Sequence, residues 1–274
     1  MDRPRILYGT AWKKQRTEAL VTQAIASGFR GIDTACQPKH YYEAGVGAAV
    51  AASVRSGVER AQLYLQTKFT PLGGQDPKQI PYDPDAPLAD QVAQSIQASL
   101  RNLQTSYIDC LVLHSPLRDT GEMEEVWRAM EEGFQSGAVR QLGISNCYEL
   151  AVLERLHRWA SVKPAVVQNR FYADTGYDVD IRAFCRLHGL SYQSFWTLTA
   201  NPGVLAHEQT QRLAAEYRVT PAQVFFRYLT QIGIVPLTGT TSAEHMRDDL
   251  AIFELTLTDA ECEAMEQLLL SATA

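Results

Sequence analysis

The sequence predicts an α/β fold, a (β/α)8 or TIM barrel formed as a single domain over residues 1–274. Three observations lead there. Short apolar runs recur along the whole chain, stretches of helical periodicity separate them, and the length is right. Repeated strand–helix units require a parallel sheet with helices outside it, and eight of them in roughly 250 residues is the size of a closed barrel. The rival, an open doubly wound sheet, favours fewer strands and a glycine-rich first turn.

The strand candidates are ILYGTA (6–11), GIDTA (31–35), LYLQTKF (63–69) and IDCLVLH (108–114), then VRQLGISN (139–146), AVVQNRF (165–171), SYQSFW (191–196) and GIVPLTG (233–239). Between them, Val92, Ile96, Leu100 and Leu103 fall on one helix face, and Met123, Val126, Trp127 and Met130 form a second stripe ending near Gly133. Asn146 stands as an N-cap with Glu149 three residues on, close to a capping box. GVGAAV (45–50) nearly spells a dinucleotide-binding glycine motif, but it follows no strand directly and sits in a helical stretch, so it reads as packing. No linker or repeat divides the chain. The long connection is residues 70–90, rich in Pro, Gly and Asp; loops of that length inside compact domains are usually functional, and a barrel puts this one on the catalytic face.

Composition narrows the class. A formal net charge of −6 and a sequence pI near 5.6, with no basic stripe, argue against nucleic acid as a partner. No apolar run approaches membrane-spanning length, and the start reads as no secretory segment. Five scattered cysteines read as reduced thiols. The expectation is a cytoplasmic protein that contacts no membrane. His40, His114 and Cys36 share no metal-ligand spacing, so no metal is expected.

Barrel chemistry comes from the carboxyl ends of the strands. The second candidate ends at Asp33, the third at Lys68, the fourth at His114, the fifth at Ser145-Asn146; the sixth carries Gln168-Asn169 and the seventh finishes in Phe195-Trp196. Each alone has an ordinary structural reading as cap, snorkelling lysine or core histidine. Together, an acid, an ammonium and an imidazole at successive strand ends point into one pocket. Tyr41 and Tyr42 follow Asp33 closely. A nearby ammonium lowers a phenol's pKa, so a tyrosine beside Lys68, with Asp33 holding the lysine, makes a proton donor suited to carbonyl chemistry.

GFRGIDTA…HYYEAGVG, LQTKF, LVLHSP, GISN, VVQN and VPLTGTTSAEHMRDDL, in that order, resemble the aldo-keto reductase superfamily across essentially the whole chain. The resemblance implies a (β/α)8 barrel, NADP(H)-dependent reduction of an aldehyde or ketone, and a catalytic Asp33, Tyr41, Lys68 and His114. Three residues before Glu43, where the family places its tyrosine, stands His40. Tyr41 is the nearest phenol and Tyr42 the alternative. The resemblance further implies that Ser145, Asn146 and Gln168 hold a nicotinamide carboxamide and that Phe195 stacks on its ring. At the phosphate end the family typically reads Ile-Pro-Lys-Ser and, further on, an arginine and a Glu-Asn pair; here Pro236 is followed by Leu237 and Thr238, His245 aligns best with the arginine, and the pair becomes Asp248-Asp249. Arginine's bidentate grip is not replaced by imidazole, although hydroxyls and amides at the helix start can bind phosphate. NADP(H) is therefore expected with reduced discrimination against NAD(H).

On the substrate side the chain ends soon after LTDAECEAMEQLLLSATA, so residues 70–90 are expected to supply a pocket wall, with Trp12, Trp196 and Tyr82 as apolar candidates. The implied partner is a small-molecule carbonyl or alcohol, and the family default is a monomer. The competing reading is a barrel that has dropped redox chemistry and acts as a cofactor-independent lyase, isomerase, cyclase or binding protein.

Overall fold

The computed structural model describes residues 4–271. Eight parallel strands close in sequence order into a barrel, with β1 hydrogen-bonded to β8. They are β1 (Leu7–Gly9), β2 (Gly31–Asp33), β3 (Tyr64–Phe69), β4 (Cys110–Leu113), β5 (Leu142–Ser145), β6 (Val166–Arg170), β7 (Ser191–Phe195) and β8 (Ile234–Thr238). Each lies inside its sequence candidate, and closure excludes the open sheet.

Between and after the strands lie α1 (Thr17–Ser27), α2 (Glu43–Arg55), α3 (Leu88–Leu103), α4 (Thr120–Gln135), α5 (Leu150–Trp159) and α6 (Val179–His188). They continue with α7 (Pro202–Ala206), α8 (Glu208–Tyr217), α9 (Pro221–Gln231), α10 (Ala243–Ala251) and α11 (Asp259–Ser271). The predicted stripes pack as their spacing requires: Val92, Ile96 and Leu103 are buried on α3, and Met123, Val126, Trp127 and Met130 on α4. GVGAAV is helix, and its glycines serve close approach. A Cβ on Gly47 would stand 1.9 Å from the Asn102 carbonyl oxygen, so α2 and α3 touch through backbone there.

Two local expectations fail. Asn146 does not cap α5. Its φ of 53° is left-handed, and its amide donates to the His114 carbonyl at 2.8 Å. The residue preceding α5 is Glu149, with no side-chain cap bond. Sequence spacing registered a cap where the backbone instead turns to present a side chain to the barrel mouth. Residues 70–90, in turn, do not wall the mouth. Tyr82 is buried, donates its hydroxyl to the Thr70 carbonyl at 2.8 Å and packs on Phe69 with centroids 5.7 Å apart. Gln75 donates to the carbonyls of Cys36 and Thr70. These bonds tie the segment to Thr70 and to the loop after β2, where Gln37 also donates to the Gly74 carbonyl. None of its residues lines the cavity at the strand ends.

Candidate active site

A cavity of about 780 Å³ opens at the carboxyl ends of the strands. Asp33, Tyr41, His114, Ser145, Asn146, Gln168, Phe195, Leu237, Thr238, His245 and Asp249 all line it. Lys68 lies just beneath, 1% exposed. Its ammonium donates to both Asp33 carboxylate oxygens, at 2.7 and 2.6 Å, and to the Thr34 carbonyl at 2.8 Å. Its Nζ stands 5.3 Å from the Tyr41 ring centroid. His114 meets the same ring edge-on, with centroids 6.1 Å apart.

The two phenols part company here. Tyr41 faces the cavity, whereas Tyr42 is 47% exposed and lies against the first turn of α2, where a Cβ on Gly45 would meet its ring at 2.7 Å.

The protonation states follow from burial. Desolvation first, then the Lys68 charge, holds His114 down to about 3, so its imidazole is neutral. Its Nδ1 shares a 2.6 Å hydrogen bond with the Thr70 hydroxyl, which leaves Nε2 for the cavity. Burial lowers Lys68, and the Asp33 charge opposes that. Tyr41 departs from expectation. Burial first, then the Asp33 charge, raises its pKa, so the phenol is protonated at neutral pH.

Sequence reasoning missed the layer below. Asp33 Oδ1 also accepts from Gln66 at 2.8 Å and from Gln168 at 2.9 Å. Both amides donate as well to the Gln193 side-chain oxygen, at 2.7 and 2.9 Å, and Gln193 returns a bond to Gln66 at 3.0 Å. The NH2 group of Gln168 is engaged twice, its side-chain carbonyl oxygen takes no part in these bonds, and the residue lines the cavity. A nicotinamide carboxamide needs that acceptor, so the residues present fit this end of the cofactor. The only advance signal was parity, since all three glutamines occupy inward positions on their strands.

At the other end, His245 caps into the start of α10, donating its backbone N–H to Ser242 Oγ, and Asp249 is buried beside it. Burial raises the Asp249 carboxyl to about 6. Arg247 is exposed and does not line the cavity. Lys13 went unnoticed in the sequence. It reaches from the loop after β1, donates to the Gly239 carbonyl at 2.7 Å and lies 5.1 Å from the Tyr8 ring centroid. Burial, reinforced by the Arg16 charge, lowers it to about 8, which still leaves it mostly cationic at neutral pH.

The cavity at the mouth of the closed barrel thus brings a phenol and a neutral imidazole over a buried acid–ammonium pair, groups suited to proton transfer at a carbonyl. Known proteins agree. The Aldo/keto reductase family model matches residues 5–270, and the chain belongs to that family. It is 30% identical over 250 residues to 2,5-diketo-D-gluconic acid reductase B of a Corynebacterium species, covering 91% of this chain and 83% of that one. It is 28% identical over 278 residues to a D-galacturonate reductase of Fragaria ananassa, with 93% and 82% covered. Among solved structures, an aldo/keto reductase from Brucella melitensis superposes with a TM-score of 0.81 at 25% identity, over 97% of this chain and 95% of that one. Enzymes of this family generally use nicotinamide cofactors. Among the described residues, no helix is long and apolar enough to cross a membrane.

Proposed function

We propose that the protein is an NAD(P)H-dependent reductase of aldehydes or ketones in which Tyr41 is the proton donor. The observation that supports this is the convergence of Tyr41, His114 and the Lys68–Asp33 pair on one cavity. The bound cofactor supplies a hydride to the carbonyl carbon. The chain supplies the rest. Tyr41, kept protonated at neutral pH by its burial, gives its proton to the carbonyl oxygen, so that C=O plus hydride plus proton becomes CH–OH. The phenolate left behind is stabilised by the Lys68 ammonium, and Asp33 fixes that lysine. The Thr70 hydroxyl donates to His114 Nδ1, leaving Nε2–H to bind the carbonyl oxygen and align it with the phenol. Oriented donors of this kind act most strongly in a site shielded from water.

Ser145, Asn146 and Gln168 hold the carboxamide, and Phe195 stacks on the ring, which requires a ring face rather than a hydroxyl. Leu237, Thr238, His245 and Asp249 line the adenosine end. Lys13, bonded to the Gly239 carbonyl beside this end, stands in for the lysine that Leu237 replaces. One lysine against two acids in the lining, Asp248 and Asp249, works against an added phosphate, so NADPH is favoured only weakly, on family precedent. Titrating the purified protein with NADPH and then NADH by calorimetry tests both points. Micromolar binding of either supports the redox reading, and a preference of about a hundredfold or more for NADPH overturns the relaxed selectivity. Binding of neither leaves the cofactor-independent reading. Tyr41→Phe lowers turnover by on the order of 10²- to 10⁴-fold, the range for loss of a general acid, and Tyr42→Phe leaves it within about threefold. Equal effects of the two overturn the assignment.

A further inference from the structure

Arg170 has no task in the chemistry above, and its placement is specific. It is the last residue of β6, two positions beyond Gln168, so both side chains point to the barrel axis and both line the cavity. In the β6–β7 register it pairs with Phe195, which puts it in the layer of the stacking ring. Its guanidinium carbon lies 4.2 Å from the Trp196 ring centroid and 5.2 Å from that of Tyr172. Its Nε is buried and has no hydrogen-bond partner. Among the described residues no carboxylate lies within ion-pair distance of it. An arginine held between two aromatic rings, with donors left over, is suited to receive a planar anion in two-pronged fashion.

We propose that Arg170 binds a carboxylate on the substrate, so that the preferred substrates are oxo acids rather than neutral carbonyl compounds. This rests on the reductase reading for what happens at the carbonyl, but not for the binding of the anion. The cofactor's phosphates are the other source of negative charge, and the strand order argues against them. With the ring on Phe195 of β7, as proposed above, Thr238 and His245 at the end of β8 and beyond would hold the phosphates, whereas Arg170 stands on β6, on the opposite side of Phe195. Across the cavity Trp12, 60% exposed, packs on His40 at a tilt of 37° with centroids 4.0 Å apart. It forms an apolar wall for the carbon chain between the carbonyl and the acid.

The test compares succinic semialdehyde with butanal, which differ only in a terminal carboxylate against a methyl group. The intact protein and its Arg170→Gln and Arg170→Lys variants are assayed, with NADPH affinity measured in parallel. The wild type prefers the acid. Arg170→Gln loses about 10- to 100-fold in kcat/KM on the acid, the range for a charge-assisted contact. It stays within about threefold on butanal and in NADPH affinity. Arg170→Lys recovers part of the loss, since the charge remains without the fork. Equal losses on both aldehydes, or a fall in NADPH affinity matching the loss on the acid, overturn the proposal. Should the wild type reduce neither aldehyde with either nucleotide, the reductase reading fails. Titration with succinate then decides the anion site alone: binding that Arg170→Gln abolishes supports it, and binding that is absent or unchanged overturns it.

Discussion

The Lys68–Asp33 pair makes the sharpest energetic prediction. Both side chains are almost wholly buried, and the ammonium bonds both carboxylate oxygens within 2.7 Å. Removing one partner strands the other charge, at a cost of about 3–5 kcal/mol. Removing both strands none. Lys68→Met leaves the Asp33 carboxylate with only the Gln66 and Gln168 amides. Asp33→Asn turns an amide donor toward an ammonium that then keeps the Thr34 carbonyl as its one full acceptor. For a chain of 274 residues the entropy of unfolding at the midpoint is about 0.6 kcal/mol/K, so each single change lowers Tm by about 5–9 °C. The double variant loses about 2–3 kcal/mol less than the two singles together, the coupling expected of groups in direct contact. Urea unfolding of all four proteins near pH 7, followed by far-UV circular dichroism, measures this cycle. Losses additive within about 0.5 kcal/mol refute the reasoning, because they mean that neither charge depends on the other.

Two further outcomes are expected. Asp249, raised to about 6, is roughly nine-tenths ionised at pH 7 and nine-tenths protonated at pH 5. Lowering the pH therefore removes a negative charge near the cofactor's phosphates, and NADPH binds tighter by about threefold or more, from about 0.7 kcal/mol per unit charge near 6 Å even at the dielectric of water. Asp249→Asn abolishes that pH dependence; its persistence in the variant assigns it elsewhere. Gly47→Ala drives a methyl group into the backbone at Asn102 and Leu103 and costs about 1–3 kcal/mol through overpacking, while Gly57→Ala, with open space around it, avoids that clash and is strained only by its φ of 103°.

The strands were legible because each is a short apolar run, and several end in polar residues at the barrel mouth, which marked Asp33, His114 and Ser145. The helices were legible from single faces such as that of Met123, Val126 and Met130. What failed was local geometry. Asn146 has the composition of a cap and the backbone of a turn, and spacing alone does not separate the two. Residues 70–90 look like a lid by length, yet Tyr82 has a better place against Phe69 than over water. The lysine's effect on Tyr41 was read from proximity alone, whereas burial, which the sequence spacing does not report, dominates and raises the phenol's pKa. Gln66, Gln193, Lys13 and Arg170 went unread because their importance lies in partners on other strands. A three-glutamine network exists only once the barrel closes.

The most direct measurement is transfer of a label. NADPH carrying deuterium at the transferable C4 position is incubated with the protein and an aldehyde, and the alcohol is examined by mass spectrometry and NMR. Deuterium on the carbinol carbon, formed in step with cofactor oxidation and lost in Tyr41→Phe, is the expected result. Unlabelled product, or product formed without the cofactor, contradicts carbonyl reduction and points to proton-transfer chemistry in the same barrel.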